Sequence, residues 1–208
     1  MIFFAIPYRG MPTSYAKFVD RFPSWCSKAG VDARIIVVEQ EAGKRFNLAK
    51  LSNCGYKLLD GLYSFKPDDA FYFHPIDCLP VNANYNLDGF DSVMHCDPNY
   101  SEHYPKTMGF SVSALLKING FPVNYWGWGG EDSAMKCRVQ HYNLTLDIRK
   151  ESFDVSGELS PSYVNREYSE QQDGKQGLDM ETGFRETEYE LLSIETISEN
   201  VHHAKVSI

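Results

Sequence analysis

The chain has 208 residues, enough for one large domain with a substantial core. A formal charge of -8 excludes a general nucleic-acid binder, which would present a basic face, though it leaves room for a local basic pocket around a diphosphate. The five cysteines (Cys26, Cys54, Cys78, Cys96 and Cys137) are odd in number, widely spread and without a CxxC pair. That pattern argues against a zinc site or disulfide scaffold, and fits a reducing compartment or one bridge among free thiols.

Residues 2–6 form an apolar run that reads as a buried first strand, too short to span a bilayer. No signal-like segment precedes it, so the expectation is a cytoplasmic protein or a domain cut from a longer chain. The strand ends at Pro7-Tyr8-Arg9-Gly10, a turn with a cation at its mouth. Residues 15–29 place Tyr15, Phe18, Val19, Phe22 and Trp25 at helical spacing, with a break expected near Pro23. Residues 34–39 are a β-branched run and read as a second strand; residues 46–62 carry Leu48, Leu51, Cys54, Leu58, Leu59 and Leu62 at helical spacing. Residues 70–74 read as a third strand, ending at Pro75-Ile76-Asp77. Strand, helix, strand, helix, strand predicts an α/β fold with a mostly parallel sheet covered by helices. In such sheets ligands sit beyond the carboxyl ends of the strands, where Arg9 and Asp77 fall.

Beyond Asp77 the chain is loop-rich. Residues 92–96 read as a short strand, 109–117 as a strand or short helix, and 132–142 as a helix. Residues 151–188, rich in Glu, Gln, Ser, Gly and Asp, read as a long flexible loop or lid, and 189–208 as a closing hairpin. The triplets starting at Asn99 and Asn143 match the glycosylation pattern, which matters only after secretion.

The most informative stretch is Asn124-Tyr125-Trp126-Gly127-Trp128-Gly129-Gly130-Glu131-Asp132. Glycines permit close backbone approach or positive φ, flat rings offer a face to a sugar or base, and a carboxylate at the loop's end can take a proton from a bound hydroxyl. An equal reading is a tight turn that buries both tryptophans and ends in an acid capping the next helix. Trp126 suits the core better than a ligand, because alternate residues of an extended loop face opposite sides. Lys50 suits a solvated helix face.

Three segments carry a family resemblance. Residues 118–132 (INGFPVNYWGWGGED) resemble the INGFPNNYWGWGGEDDD signature of the animal β-1,4-galactosyltransferases. Residues 46–56 (FNLAKLSNCGY) resemble that family's FNRAKLLNVGF segment, and residues 73–80 (FHPIDCLP) its F-x-DVD-LLP strand end. The likeness runs from about Ile2 to Tyr142. It implies a single GT-A glycosyltransferase domain over 1–208: a nucleotide-binding half at 1–80, an acceptor and catalytic half at 81–150, then the flexible loop and C-terminal β-hairpin. It also implies an inverting transfer of a galactose-like hexose from a UDP-sugar to a glycan hydroxyl, with Mn2+ or Mg2+ on the diphosphate, and it admits a Golgi-type or multi-domain parent chain.

By that resemblance Asp132 is the catalytic base. Glu131, with Gly129 and Gly130, binds the acceptor, and Trp128 touches donor and acceptor. Asp77 ligates the metal, and Pro7, Tyr8, Arg9, Phe46 and Ile76 surround the donor nucleotide. Several residues depart from the family pattern: Pro75 replaces the first acid of DVD, Leu48 the Arg of FNR, and Ser133 the third acid after the glycines. No Met-x-x-His segment follows Asp132, so a metal-completing imidazole would come from His202 or His203, His203 being the candidate; two histidines on an exposed strand is the simpler reading. The donor-discriminating stretch falls near 103–107. These departures also admit a second reading, a non-catalytic module of the same fold that binds carbohydrate or nucleotide.

Overall fold

The computed structural model describes residues 1–98, 106–155 and 178–208. In chain order the first elements are β1 (Ile2–Tyr8), α1 (Pro12–Lys28), β2 (Ala33–Gln40), α2 (Leu48–Tyr63), β3 (Ala70–Phe73) and β4 (Leu79–Pro80). Then come β5 (Ser92–Cys96), β6 (Thr107–Ser111), α3 (Val112–Lys117), α4 (Glu131–His141), β7 (Leu146–Lys150), β8 (Phe153–Asp154), β9 (Glu190–Ser198) and β10 (Val201–Ser207). Among the described residues an eight-stranded sheet runs β7-β5-β6-β3-β1-β2-β10-β9, and β4 pairs with β8 apart from it. Strands β3, β1, β2 and β10 are mutually parallel, whereas β6 runs antiparallel to β3 and β9 antiparallel to β10.

Strand side chains alternate between the two faces, so each buried strand feeds two cores. Phe3, Ala5, Ile36 and Val38 point to the face covered by α2, with Met135 and Val139 of α4 in the same core. Ile2, Phe4, Ile6, Ile35 and Val37 point to the face covered by α1 through Phe18, Phe22 and Cys26. Burial on both faces is why these strands read as continuous apolar runs. All five cysteines are thiols rather than disulfides, and four of them are buried. Among the described residues no helix is long and apolar enough to cross a membrane.

The structure revises four expectations. Helix α1 passes through Pro23 without a break, its apolar face being held by the core around Phe18, Phe22 and Cys26. Strands β4, β7 and β8 have no counterpart in the sequence reading; they are short, and Leu146–Lys150 is half-buried, without the clean alternation that marks a strand. The expected lid over 151–188 lies mostly outside the described residues. Its described end, 178–188, is a hydrogen-bonded strap: Phe184 N–H donates to the Asn119 carbonyl at 2.8 Å and Lys57 Nζ to the Thr187 carbonyl at 2.7 Å. The hairpin does more than close the chain, since β10 joins the central sheet beside β2.

Candidate active site

The aromatic-glycine loop joins α3 to α4 and is lashed to α2. Asn53 Nδ2 donates to the Phe121 carbonyl at 2.8 Å while its Oδ1 accepts from Phe121 N–H at 3.0 Å. Asn47 Nδ2 donates to the Val123 carbonyl at 2.8 Å, and Gly127 N–H to the Phe46 carbonyl at 2.7 Å. Both asparagines are fully buried, so these bonds form where water cannot compete. Gly127, Gly129 and Gly130 all have φ near +100° (106°, 96° and 101°), a conformation other residues adopt only under strain.

The loop's aromatic rings are sorted by burial. Tyr125 is buried, and its hydroxyl accepts from the Asp179 N–H at 3.2 Å. Trp126 is half-buried against the core, with Lys50 Nζ and Lys44 Nζ at 5.8 and 6.0 Å from its ring centre. Trp128 is 36% exposed, the most exposed of the three rings. A turn that buries both tryptophans is therefore not what forms. Nor is Asp132 the helix cap: the N-cap of α4 is Gly130, and Glu131 and Asp132 occupy the first turn.

Those two carboxylates border a cavity of about 160 Å3 at the carboxyl ends of β1 and β3. Pro7, Phe73, His74 and Pro75 form its strand-end wall; Leu48 and Ser52 of α2 face them; Lys106, Thr107 and Met108 come from the entry to β6; Trp128 and Phe121 close it from the loop. A larger groove of about 640 Å3 lies at the amino ends of β1 and β3, between Met1, Asp68 and Phe90, and contains neither carboxylate.

The electrostatics of the pair follow from its burial. Glu131 is buried, with Oε2 unpartnered; burial raises its pKa, while backbone N–H groups of Glu131 and Gly129 oppose the rise. Asp132 is raised well above the usual carboxylate range, first by burial and then by the neighbouring Glu131 charge. A carboxylate so placed is a stronger base than one in water. His74, fully buried, is driven down to about 3 by burial; its Nδ1 lies 2.9 Å from the Pro75 carbonyl and its Nε2 3.0 Å from the Tyr85 hydroxyl. A neutral ring fits both contacts, Nδ1–H donating and Nε2 accepting.

The expected donor residues spread along the same sheet end. Pro7 lines the cavity. Tyr8 packs on Tyr15 with ring centres 5.1 Å apart. Arg9 lies over Phe46, 5.3 Å from its ring centre, and donates to the Lys44 carbonyl at 2.6 Å. Ile76 is buried, and Asp77 is half-buried in the turn after β3, two residues beyond Pro75 and outside the cavity wall itself. Burial raises the Asp77 pKa, opposed by its own backbone amide and by Lys106.

His203 is not brought to Asp77. Strands β1 and β2 separate β10 from β3, about 14 Å at three strand spacings. The His203 ring is committed to the α1 side, with Nδ1 3.1 Å from the Tyr15 hydroxyl and Nε2 3.1 Å from Glu39 Oε2. Its neighbour His202 faces the opposite side, Nε2 lying 2.8 Å from the Tyr63 hydroxyl. Among the described residues no group of three or more His, Cys, Asp or Glu side chains is placed to hold a metal ion. Asp77 suits a hard cation that takes its other oxygens from a diphosphate and water. The sequence assigns no role to His74 or Met108 and marks Lys106 and Thr107 only as part of the donor-discriminating stretch near 103–107; their place in the cavity wall comes from β6 pairing with β3.

Comparison with known proteins agrees with this architecture. A profile described as the N-terminal region of glycosyl transferase group 7 matches residues 2–88, and one described as the N-terminal domain of galactosyltransferase matches residues 90–157. The mouse β-1,4-galactosyltransferase 4 is 31% identical over 157 residues, covering 70% of this chain and 44% of its own. The human β-1,4-galactosyltransferase 6 is 33% identical over 154 residues, covering 67% and 39%. The chain thus spans less than half the length of these relatives. The catalytic domain of a Drosophila β1,4-galactosyltransferase 7 bound to xylobiose superposes with a TM-score of 0.82 at 20% identity, over 100% of this chain and 93% of that one. A mutant of the same enzyme, crystallised with manganese, UDP-Gal and xylobiose, gives 0.83 at 19% identity over the same shares of the two chains. The fold is that of the GT-A glycosyltransferases. Within that class the chain belongs to the β-1,4-galactosyltransferase family.

Proposed function

We propose that this chain is the catalytic region of an inverting transferase that moves a galactose-like hexose from a UDP-sugar to a glycan hydroxyl. The observation that carries the reading is the Glu131–Asp132 pair bordering a cavity at the carboxyl ends of β1 and β3, with Trp128 exposed beside it. The Drosophila relative bound to manganese, UDP-Gal and xylobiose supports the substrate classes. The acceptor hydroxyl gives its proton to Asp132 as its oxygen attacks the anomeric carbon, and the bond to the diphosphate oxygen breaks on the opposite face. The unpartnered Glu131 Oε2 accepts a hydrogen bond from a second acceptor hydroxyl, and Trp128 stacks on the sugar. Pro7, Arg9 and Phe46 flank the nucleotide. Asp77 would hold Mn2+ or Mg2+, which when bound neutralises charge on the leaving diphosphate.

The test is UDP release from UDP-sugars with Mn2+ and a panel of glycan acceptors, in the parent and in Asp132→Asn. Acceptor-dependent release that collapses in the variant supports the reading. Release unaffected by the variant, or absent with every donor, removes it. A second reading, a binding module without turnover, draws on Pro75 in the cavity wall and on Asp77 belonging to no metal-ligating group among the described residues. Calorimetry that finds glycan binding without cation-dependent UDP affinity favours it.

A further inference from the structure

Lys106 immediately precedes β6, its N–H donating to the His95 carbonyl at 2.7 Å. It lines the same cavity as Pro75, Trp128 and Asp132. In that lining Lys106 supplies the positive charge, opposite in sign to Glu131 and Asp132. A nucleoside-diphosphate donor carries its negative charge on the phosphates, so the ammonium is the wall group they would meet in this cavity. A Lys there offers three donors on a flexible stem, which suits a phosphate oxygen. Among the described residues Asp77 has no second and third ligating side chain beside it.

We infer that Lys106 binds the donor: its ammonium holds a non-bridging oxygen of the distal phosphate of the nucleoside diphosphate. This rests on the transferase reading and deepens it. In the transfer, the acceptor proton passes to Asp132 and the acceptor oxygen's electron pair forms the new bond to the anomeric carbon. The pair of the broken C–O bond stays on the diphosphate, where Lys106 meets the added charge.

Lys106→Gln and Lys106→Arg test the assignment by titration with UDP and with uridine, each in the presence of Mn2+ and followed by NMR. Lys106 is partly exposed, so neither change threatens the core. Lys106→Gln is expected to weaken UDP binding about tenfold or more, the loss of one charge-assisted hydrogen bond. Uridine affinity should stay unchanged, Lys106→Arg should recover most of the UDP affinity, and kcat should fall with the acceptor KM unmoved. Equal UDP affinity in parent and Lys106→Gln overturns the assignment alone. So does an equal loss for uridine, which would mean a distorted cavity. A parent protein that binds no UDP sinks the transferase reading and this inference together.

Discussion

Asn53 and Phe121 are joined by two buried hydrogen bonds, side-chain amide to backbone, that tie α2 to the loop carrying the carboxylates. The same Asn53 Nδ2 also reaches Thr187 Oγ1 at 3.0 Å, so one side chain holds the loop and the strap behind it. Replacing it leaves the Phe121 N–H and C=O without partners in a dry site. Asn53→Ala should destabilise the fold by about 2–4 kcal/mol, measured by urea unfolding. A loss below about 0.5 kcal/mol would show that the loop finds other partners.

Arg138, on α4, is fully buried and donates to the carbonyls of Ile118 (3.2 Å), Gly120 (2.9 Å), Asp179 (2.9 Å) and Thr182 (2.6 Å). No other side chain spans that fork geometry. Arg138→Met should cost about 3–5 kcal/mol by orphaning these carbonyls. Calorimetry should find Tm lower by roughly 10 °C. Arg138→Lys, a point charge on a flexible stem, should recover only part of the loss.

The raised pKa of Asp132 fixes the direction of two pH effects. As the proposed base, Asp132 works only when ionised, so the rate should rise with pH through a limb lying above the usual carboxylate range. Because the Glu131 charge contributes to the rise, Glu131→Gln should move that limb to lower pH. The stability effect has the opposite sign. A carboxyl whose folded pKa is raised binds its proton more tightly when folded, so its contribution to stability falls as pH climbs from the unfolded value through the folded one. Asp132→Asn should therefore raise Tm at neutral pH while lowering kcat by about 100-fold or more. A lower Tm together with an unmoved pH limb would contradict the assignment.

His74 titrates the other way. Burial holds its folded pKa at about 3, below the unfolded value near 6.5. Below the unfolded value the unfolded chain binds the proton and the native ring does not, so stability present above about pH 6.5 drains away toward pH 3. The expected loss is on the order of a few kcal/mol over that range. His74→Gln, which can still bond in both directions, should flatten this acid limb in urea titrations at pH 4 and pH 7. An unchanged slope would assign the acid sensitivity elsewhere.

Much of this was written in local pattern. Continuous apolar runs such as Ile2–Tyr8 and helical spacing such as that of α2 are properties of neighbouring residues, so the parallel α/β core could be read in advance. The glycines and adjacent acids of 127–132 marked a tight loop running into a helix for the same reason: backbone conformation and side-chain type are local.

What no local pattern held was distance. Lys106 enters the cavity because β6 lies antiparallel beside β3, and His203 stays away from Asp77 because β1 and β2 intervene. Strap residues 178–188, polar enough to read as loose chain, are ordered by partners such as Asn119 and Arg138 far away in sequence. The rise in the Asp132 pKa is likewise a property of assembled surroundings, since burial exists only once the chain has closed around the carboxyl. Residue order thus determined which groups were available, and packing decided which of them share a dry space.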